Sequence, residues 1–279
     1  NEEDFSNSNS NSNSLEEDTK SKSGKTLTFE KISLGLIPIM LHSKICVLHN
    51  QTFETLKMMG ECPYEQGGYF IIDGKEKIIV SHERKAENKI YVQNINDDYY
   101  SHSVNIKSVP QGKFKYPKTT EISIKIKDES MEVRLPGFGK RIPLFVIFRA
   151  LGFESDKEIL EMILGNLDDE VNQELLNDFY SSVKNGSFIY KQIGAITYLK
   201  DFTQGGTVSE VVNIINNELI PHIGYDYINK AYFLGHMVKN LVYNKKGLIG
   251  NTDRDSFAFK RVDLSGFLLA GLFRDNFIQ

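Results

Sequence analysis

Asp253 and Asp255, alternate residues near the C-terminal end, come closer to a metal site than any other pair in this sequence. On an extended segment alternate side chains face the same way, so the two carboxylates could hold Mg²⁺. Arg254 between them and Lys260-Arg261 beyond read more simply as charge partners. Nothing else resembles a reaction centre. There is no Gly-x-Ser-x-Gly and no Walker loop, and Gly205-Gly206 lacks the further Gly and the Lys of a phosphate cradle. The six histidines include no His-x-x-x-His pair. Cys46 and Cys62 have no zinc spacing and are too few for a disulfide framework, so both read as reduced thiols of an intracellular protein. The expectation is a chain with no catalytic group and no metal ligand. Charged and polar groups recur over Lys77–Arg84 near one end and Arg254–Arg261 near the other, and by themselves read as ordinary surface charges.

The first of these groups has a recognisable support. Gly67-Gly68 permits a tight turn that a Cβ would obstruct. Tyr69–Ile72 and Lys77–Val80 are short β-prone runs, and Asp73-Gly74 between them is a strong hairpin signal. His82, Glu83 and Arg84 would follow the second strand. Read without further information, this is a surface hairpin with ordinary charges.

Elsewhere the pattern is mixed. Residues 1–24 are low in complexity, with an alternating Ser/Asn run from Ser6 to Ser14, and predict a disordered acidic tail. From Leu27 to about Val92 short apolar runs broken by Gly, Pro and Asn predict mostly β-structure, with a turn or two of helix at Glu54–Met59. Asn94–Lys118 reads as a polar, turn-rich passage in which Tyr99-Tyr100 could stack on bases or a partner. Glu121–Lys127 and Met131–Leu135 alternate strictly and predict a half-buried hairpin turning at Asp128–Ser130. Helices are expected over Leu144–Leu151, Lys157–Leu164, Asp168–Lys184, Ser209–Leu219, Ile228–Tyr243 and Val262–Phe277, punctuated by Gly152, Gly165, Gly186 and Pro221. The fold class is therefore α+β.

At 279 residues, 40% hydrophobic and 25% charged, the chain can bury a core, and no apolar run approaches the length of a bilayer span. It begins without Met or a signal peptide and reads as a piece of a longer chain. The net charge of −4 argues against a nucleic-acid binder, but residues 1–19 hold six acids and no Lys or Arg. The remainder has 33 basic against 31 acidic residues, which permits a local basic face.

The stretch Gly60–Arg84 resembles a segment of the second-largest, β-like subunit of multisubunit DNA-directed RNA polymerases. Thr252-Asp-Arg-Asp255 with Lys260-Arg-Val-Asp-Leu-Ser-Gly266 is similar to a second run of that family. Arg134–Pro136, Ile142–Gly152 and Leu36–Leu41 fit in the same order, so the likeness covers about Phe29–Phe277. There are departures. Ser256 stands where the family has His, Ala258 where Gly is usual, Phe259 where a polar residue is usual and Phe267 where Pro is common.

The resemblance implies a protrusion domain (25–93, returning at 248–279) with an inserted lobe module (94–247). It implies a wall of the cleft that holds template DNA and the RNA–DNA hybrid, with the largest subunit and other polymerase subunits as partners. Mg²⁺ would sit in the largest subunit, leaving no cofactor here. Lys77, His82, Arg84, Lys260, Arg261 and, more weakly, Arg254 would contact phosphates, because a cleft that must accept any sequence cannot rely on base edges. A chain rich in Asn, Ile, Lys and Tyr suggests an AT-rich source. A large cytoplasmic DNA virus would place it in a viral factory or virion, and a divergent eukaryote in the nucleus. The other reading is a stand-alone, non-catalytic protein-binding module.

Overall fold

The structure, a computed structural model, describes residues 28–33, 35–110 and 116–278, so the Ser/Asn-rich tail lies outside the described residues. Packing divides the chain between Ile78 and Ile79 into two units.

In the first unit, Leu41–Asn50 is a run of turns leading to helix α1 (Phe53–Met58), whose first turn is capped by Thr52 Oγ1 accepting from Thr55 N. The expected hairpin is present as β1 (Phe70–Ile72) and β2 (Lys75–Lys77). Asp73 and Gly74 both have positive φ, 52° and 71°, as a two-residue primed turn demands. The second strand therefore starts at Lys75 rather than Lys77, and Ile78–Val80 falls outside it. Gly67 has φ 70°, and a Cβ there would meet the Leu41 carbonyl oxygen at 2.5 Å, so this turn does require glycine. The mostly β reading of the region before the hairpin is corrected: among the described residues no strand precedes Phe70. Leu36, Ile37 and Ile39 are exposed, and Pro38 removes a ladder donor from their run.

The second unit starts with β3 (His82–Lys85), which pairs antiparallel with β9 (Lys260–Asp263) near the other end of the chain. Between them lies a five-stranded antiparallel meander of β4 (Ile90–Asn94), β5 (Tyr100–Ser108), β6 (Lys118–Lys125), β7 (Met131–Arg134) and β8 (Ile142–Pro143). The alternation in β6 and β7 gives the predicted hairpin, with Ile122 opposite Val133 and Ile124 opposite Met131, all buried. β5 corrects the turn-rich reading of Asn94–Lys118, because Val104 and Ile106 are fully buried in a nine-residue strand. Tyr100 belongs to it, its ring under the Arg141 guanidinium at 4.3 Å, while Tyr99 is exposed.

Helices α2 (Leu144–Ala150), α3 (Asp156–Leu164), α4 (Glu170–Leu176), α5 (Tyr180–Gly186), α6 (Gln192–Lys200), α7 (Val208–Asn217) and α8 (Tyr227–Lys245) complete the body. α2 is buried throughout and packs on β7, β8, α5 and α6. α8 turns Ala231, Leu234, Val238, Leu241 and Val242 inward against β4, β5 and α3, the spacing of one helical face. The single helix expected over Asp168–Lys184 is broken by a 3-10 turn at Asn177–Phe179, and α6 was not foreseen. Helix α9 (Ser265–Ile278) begins after β9, so the expected helix from Val262 starts three residues late, its first residues being held in the ladder.

The two ends of this body are stitched together. Val92 N donates to Thr252 Oγ1 at 3.0 Å, Thr252 N donates to the Val92 carbonyl at 2.8 Å, and Asn94 N donates to Asn251 Oδ1 at 3.2 Å.

Candidate nucleic-acid interface

The β3–β9 ribbon gathers four of the six cations singled out from sequence. Its register sets Arg84 opposite Arg261, Lys85 opposite Lys260 and His82 opposite Asp263. Opposed residues share a face, so Arg84 and Arg261 occupy one side with His82 and Asp263. Lys85, Lys260 and Glu83 occupy the other. Like charges directly opposed repel, and each face answers with a diagonal carboxylate. Arg84 Nε donates to Asp263 Oδ1 at 2.8 Å, and its Nη1 lies 2.9 Å from Glu87 Oε1. On the other face Lys260 Nζ lies 2.8 Å from Glu83 Oε1 and 3.5 Å from Asp255 Oδ1. The hydrogen bond from Arg84 to Asp263 raises the arginine's already high pKa, and the one from Lys260 to Glu83 raises that lysine's.

After these pairings the available cations are different ones. Arg261 is exposed, and its guanidinium donates to the carbonyls of Ala258 and Lys260, at 3.4 and 2.6 Å. Lys85 lies over the Tyr91 ring at 5.8 Å, and sequence reasoning missed it although it adjoins Arg84. Arg254 is exposed, and among the described residues no carboxylate pairs with it. Asp253 instead accepts from the backbone N of Asp255 at 3.0 Å, and Asp255 turns to Lys260. The charge partners expected around Arg254 are thus exchanged for others. Lys77, at the end of β2, belongs to the other unit and is exposed there; His82 is exposed on the ribbon.

Phe259, the hydrophobic departure noted in the sequence, has a structural role. Its ring packs on Tyr91 with centroids 5.4 Å apart, and its carbonyl accepts from Ala86 N and Tyr91 Oη at 2.8 and 3.3 Å. Phe267 likewise lies against the Arg84 guanidinium, 5.6 Å from ring centroid to Cζ. Among the described residues no group of three or more His, Cys, Asp or Glu side chains could hold a metal ion, and no helix is long and apolar enough to cross a membrane.

Residues 8–279 match the family described as RNA polymerase beta subunit. The chain belongs to that family. Similar members include the DNA-directed RNA polymerase II subunit RPB2 of Encephalitozoon cuniculi, 39% identical over 89% of this chain and 22% of that one. The DNA-directed RNA polymerase II subunit 2 of Arabidopsis thaliana is 34% identical over 90% of this chain and 22% of its own length. The DNA-directed RNA polymerase subunit Rpo2 of Saccharolobus solfataricus is 31% identical over 89% of this chain and 22% of its own length. The chain therefore spans about a fifth of the length of these curated relatives. A family match across nearly all of it disfavours the stand-alone binding module.

Proposed function

We propose that this chain is part of the second-largest subunit of a DNA-dependent RNA polymerase and forms one wall of the cleft holding the DNA and the RNA–DNA hybrid. The observation that carries the reading is the family match over residues 8–279. The segment acts by position and charge. Arg261 and Lys85, on opposite faces of the ribbon, and Arg254 in the turn before it would meet phosphates, with Arg84, Lys260 and His82 setting their background potential; Lys77 would be a separate contact on the hairpin. Such contacts are indifferent to sequence, as transcription of any template requires. The chemistry, with its Mg²⁺, would belong to the largest subunit, the principal partner. In a cellular source the compartment would be the nucleus.

The domain reading of a protrusion at 25–93 and 248–279 around a lobe at 94–247 is part of the same proposal. The pairing of β3 with β9 and the bonds between Val92 and Thr252 support it, because an inserted module must leave and re-enter its host at neighbouring points.

The test is salt-dependent binding of a DNA–RNA scaffold by the assembled enzyme. Arg261→Ala should reduce the slope of log affinity against log salt by about one, with no change in sequence preference. An unchanged slope would remove Arg261 from the interface. An assembly that neither binds scaffold nor extends RNA would remove the polymerase reading.

A further inference from the structure

The 3-10 turn Phe257–Phe259 before β9 presents its two aromatic rings in opposite ways. Phe259 is anchored against Tyr91, as described above. Phe257 is 90% exposed. An isolated exposed apolar side chain is ordinary, but three features set this one apart.

The turn that carries it is fixed. Ser256 N donates to the Asp253 carbonyl at 3.3 Å, Phe259 N donates to the Ser256 carbonyl at 2.9 Å, and Asp255 N donates to Asp253 Oδ1 at 3.0 Å. The ring is therefore held out by a bonded backbone and not by a loose loop. Its flanks are cationic: exposed Arg254 precedes it in sequence, and the Arg261 guanidinium reaches back to the carbonyl of Ala258, the residue after Phe257. Of the nearby acids, Asp253 accepts from the Asp255 backbone N, and Asp255 lies 3.5 Å from Lys260, which also pairs with Glu83. A docking anchor for another protein would want an apolar rim. The residues beside it in the chain, Arg254, Asp255, Ser256 and Ala258, are charged, polar or small, and with Arg261 reaching back to Ala258 two arginines are at hand for a polyanion with flat apolar faces.

We infer that Phe257 is a stacking contact for an unpaired base of a single-stranded nucleic acid, whose flanking phosphates are held by Arg254 and Arg261. The inference rests on the polymerase reading and adds to it a contact with the bases. Stacking remains compatible with a sequence-indifferent cleft, because every base has a π-face.

The experiment uses the assembled enzyme and a DNA–RNA scaffold whose single-stranded portions carry 2-aminopurine at successive positions. Phe257→Leu keeps an apolar side chain without an aromatic face, and Phe257→Tyr keeps the face. The expected result is quenching of 2-aminopurine at one or two positions in the wild-type complex. That quenching should be lost in the Leu variant with at least an about five-fold fall in scaffold affinity, and both should be retained in the Tyr variant. Leu-variant affinity within two-fold of wild type, with unaltered quenching, would overturn the inference. So would a Leu variant that weakens subunit assembly but binds normally once assembled, since Phe257 would then be a protein anchor. If the Leu variant does not assemble, the wild-type signal decides: no position quenched by the complex overturns the inference. Wild-type enzyme that extends RNA while Phe257 proves irrelevant sinks the stacking contact alone. Enzyme that binds no scaffold sinks the polymerase reading together with it.

Discussion

Arg84 and Asp263, 179 positions apart in the chain, are joined by an Nε–Oδ1 hydrogen bond of 2.8 Å across the β3–β9 ribbon. The carboxylate is largely buried and the guanidinium about one-third exposed, which places the pair between a surface ion pair and a buried one. Its partner strand contributes Arg261 directly opposite, so the same bond also relieves an arginine–arginine repulsion.

Asp263→Asn should therefore destabilise the chain by about 1 kcal/mol, a central value for a half-exposed charge-assisted bond. Denaturant unfolding measures this. The loss should shrink as salt rises, because screening weakens both the lost attraction and the unmasked repulsion. A variant as stable as wild type at low salt would mean that Glu87 alone satisfies Arg84.

Lys230 gives a pH dependence of opposite character. Its ammonium is fully buried in α8 and donates to the carbonyls of Ile215 and Asn216, at 2.6 and 2.8 Å, and among the described residues no carboxylate pairs with it. Burial lowers its pKa from 10.5 to about 8. Between about pH 8 and 10.5 the unfolded chain then holds a proton that the folded chain has released, so stability rises with pH across that window. The gain attributable to this residue is up to roughly 3 kcal/mol. The unfolding free energy of the wild type should rise by that amount relative to that of Lys230→Met from pH 7 to 10.5. A constant difference between the two would show that Lys230 keeps its proton in the folded state.

Gly186 is irreplaceable for a reason of space. An added Cβ would stand 2.7 Å from the Phe145 Cβ and 3.3 Å from the Arg149 guanidinium. Arg149 is wholly buried, donating to the Gly186 carbonyl and to Asp156, so it has little freedom to retreat. Gly186→Ala should cost about 2 kcal/mol through overpacking, although alanine favours helices intrinsically. Thermal or denaturant unfolding would reveal it, and a neutral result would mean that α2 and α5 can separate.

How much of this was legible in the sequence depends on the distance over which each feature is decided. Asp73-Gly74 announced its hairpin because the turn conformation is local. Glu121–Leu135 did so because alternation reports a buried face directly. β5 was missed because His102, Ser103, Asn105 and Ser108 give its stretch a polar average although Val104 and Ile106 point inward. The β3–β9 ribbon was beyond any local reading. Val262 looked like the start of a helix, and only a strand 177 positions away from Lys260 at Glu83 holds it extended. The candidate cations could be named from their resemblance to a family, but which of them are engaged by carboxylates could not. Asp255 serves Lys260 and leaves Arg254 alone, an exchange that depends on where a turn happens to point.

The long span closed by that ribbon has a consequence in time. A ribosome adds on the order of 5–20 residues per second, so β3 leaves it on the order of ten to thirty seconds before β9 exists. During that interval its hydrogen-bonding edge has no native partner. The meander and its helices lie entirely between the two strands and can fold first, drawing Val92 and Thr252 together and shortening the effective loop that remains to be closed. The order of synthesis thus makes the intervening module the scaffold on which the cationic ribbon is later assembled, and a nascent chain interrupted before Lys260 would carry β3 as an unprotected edge.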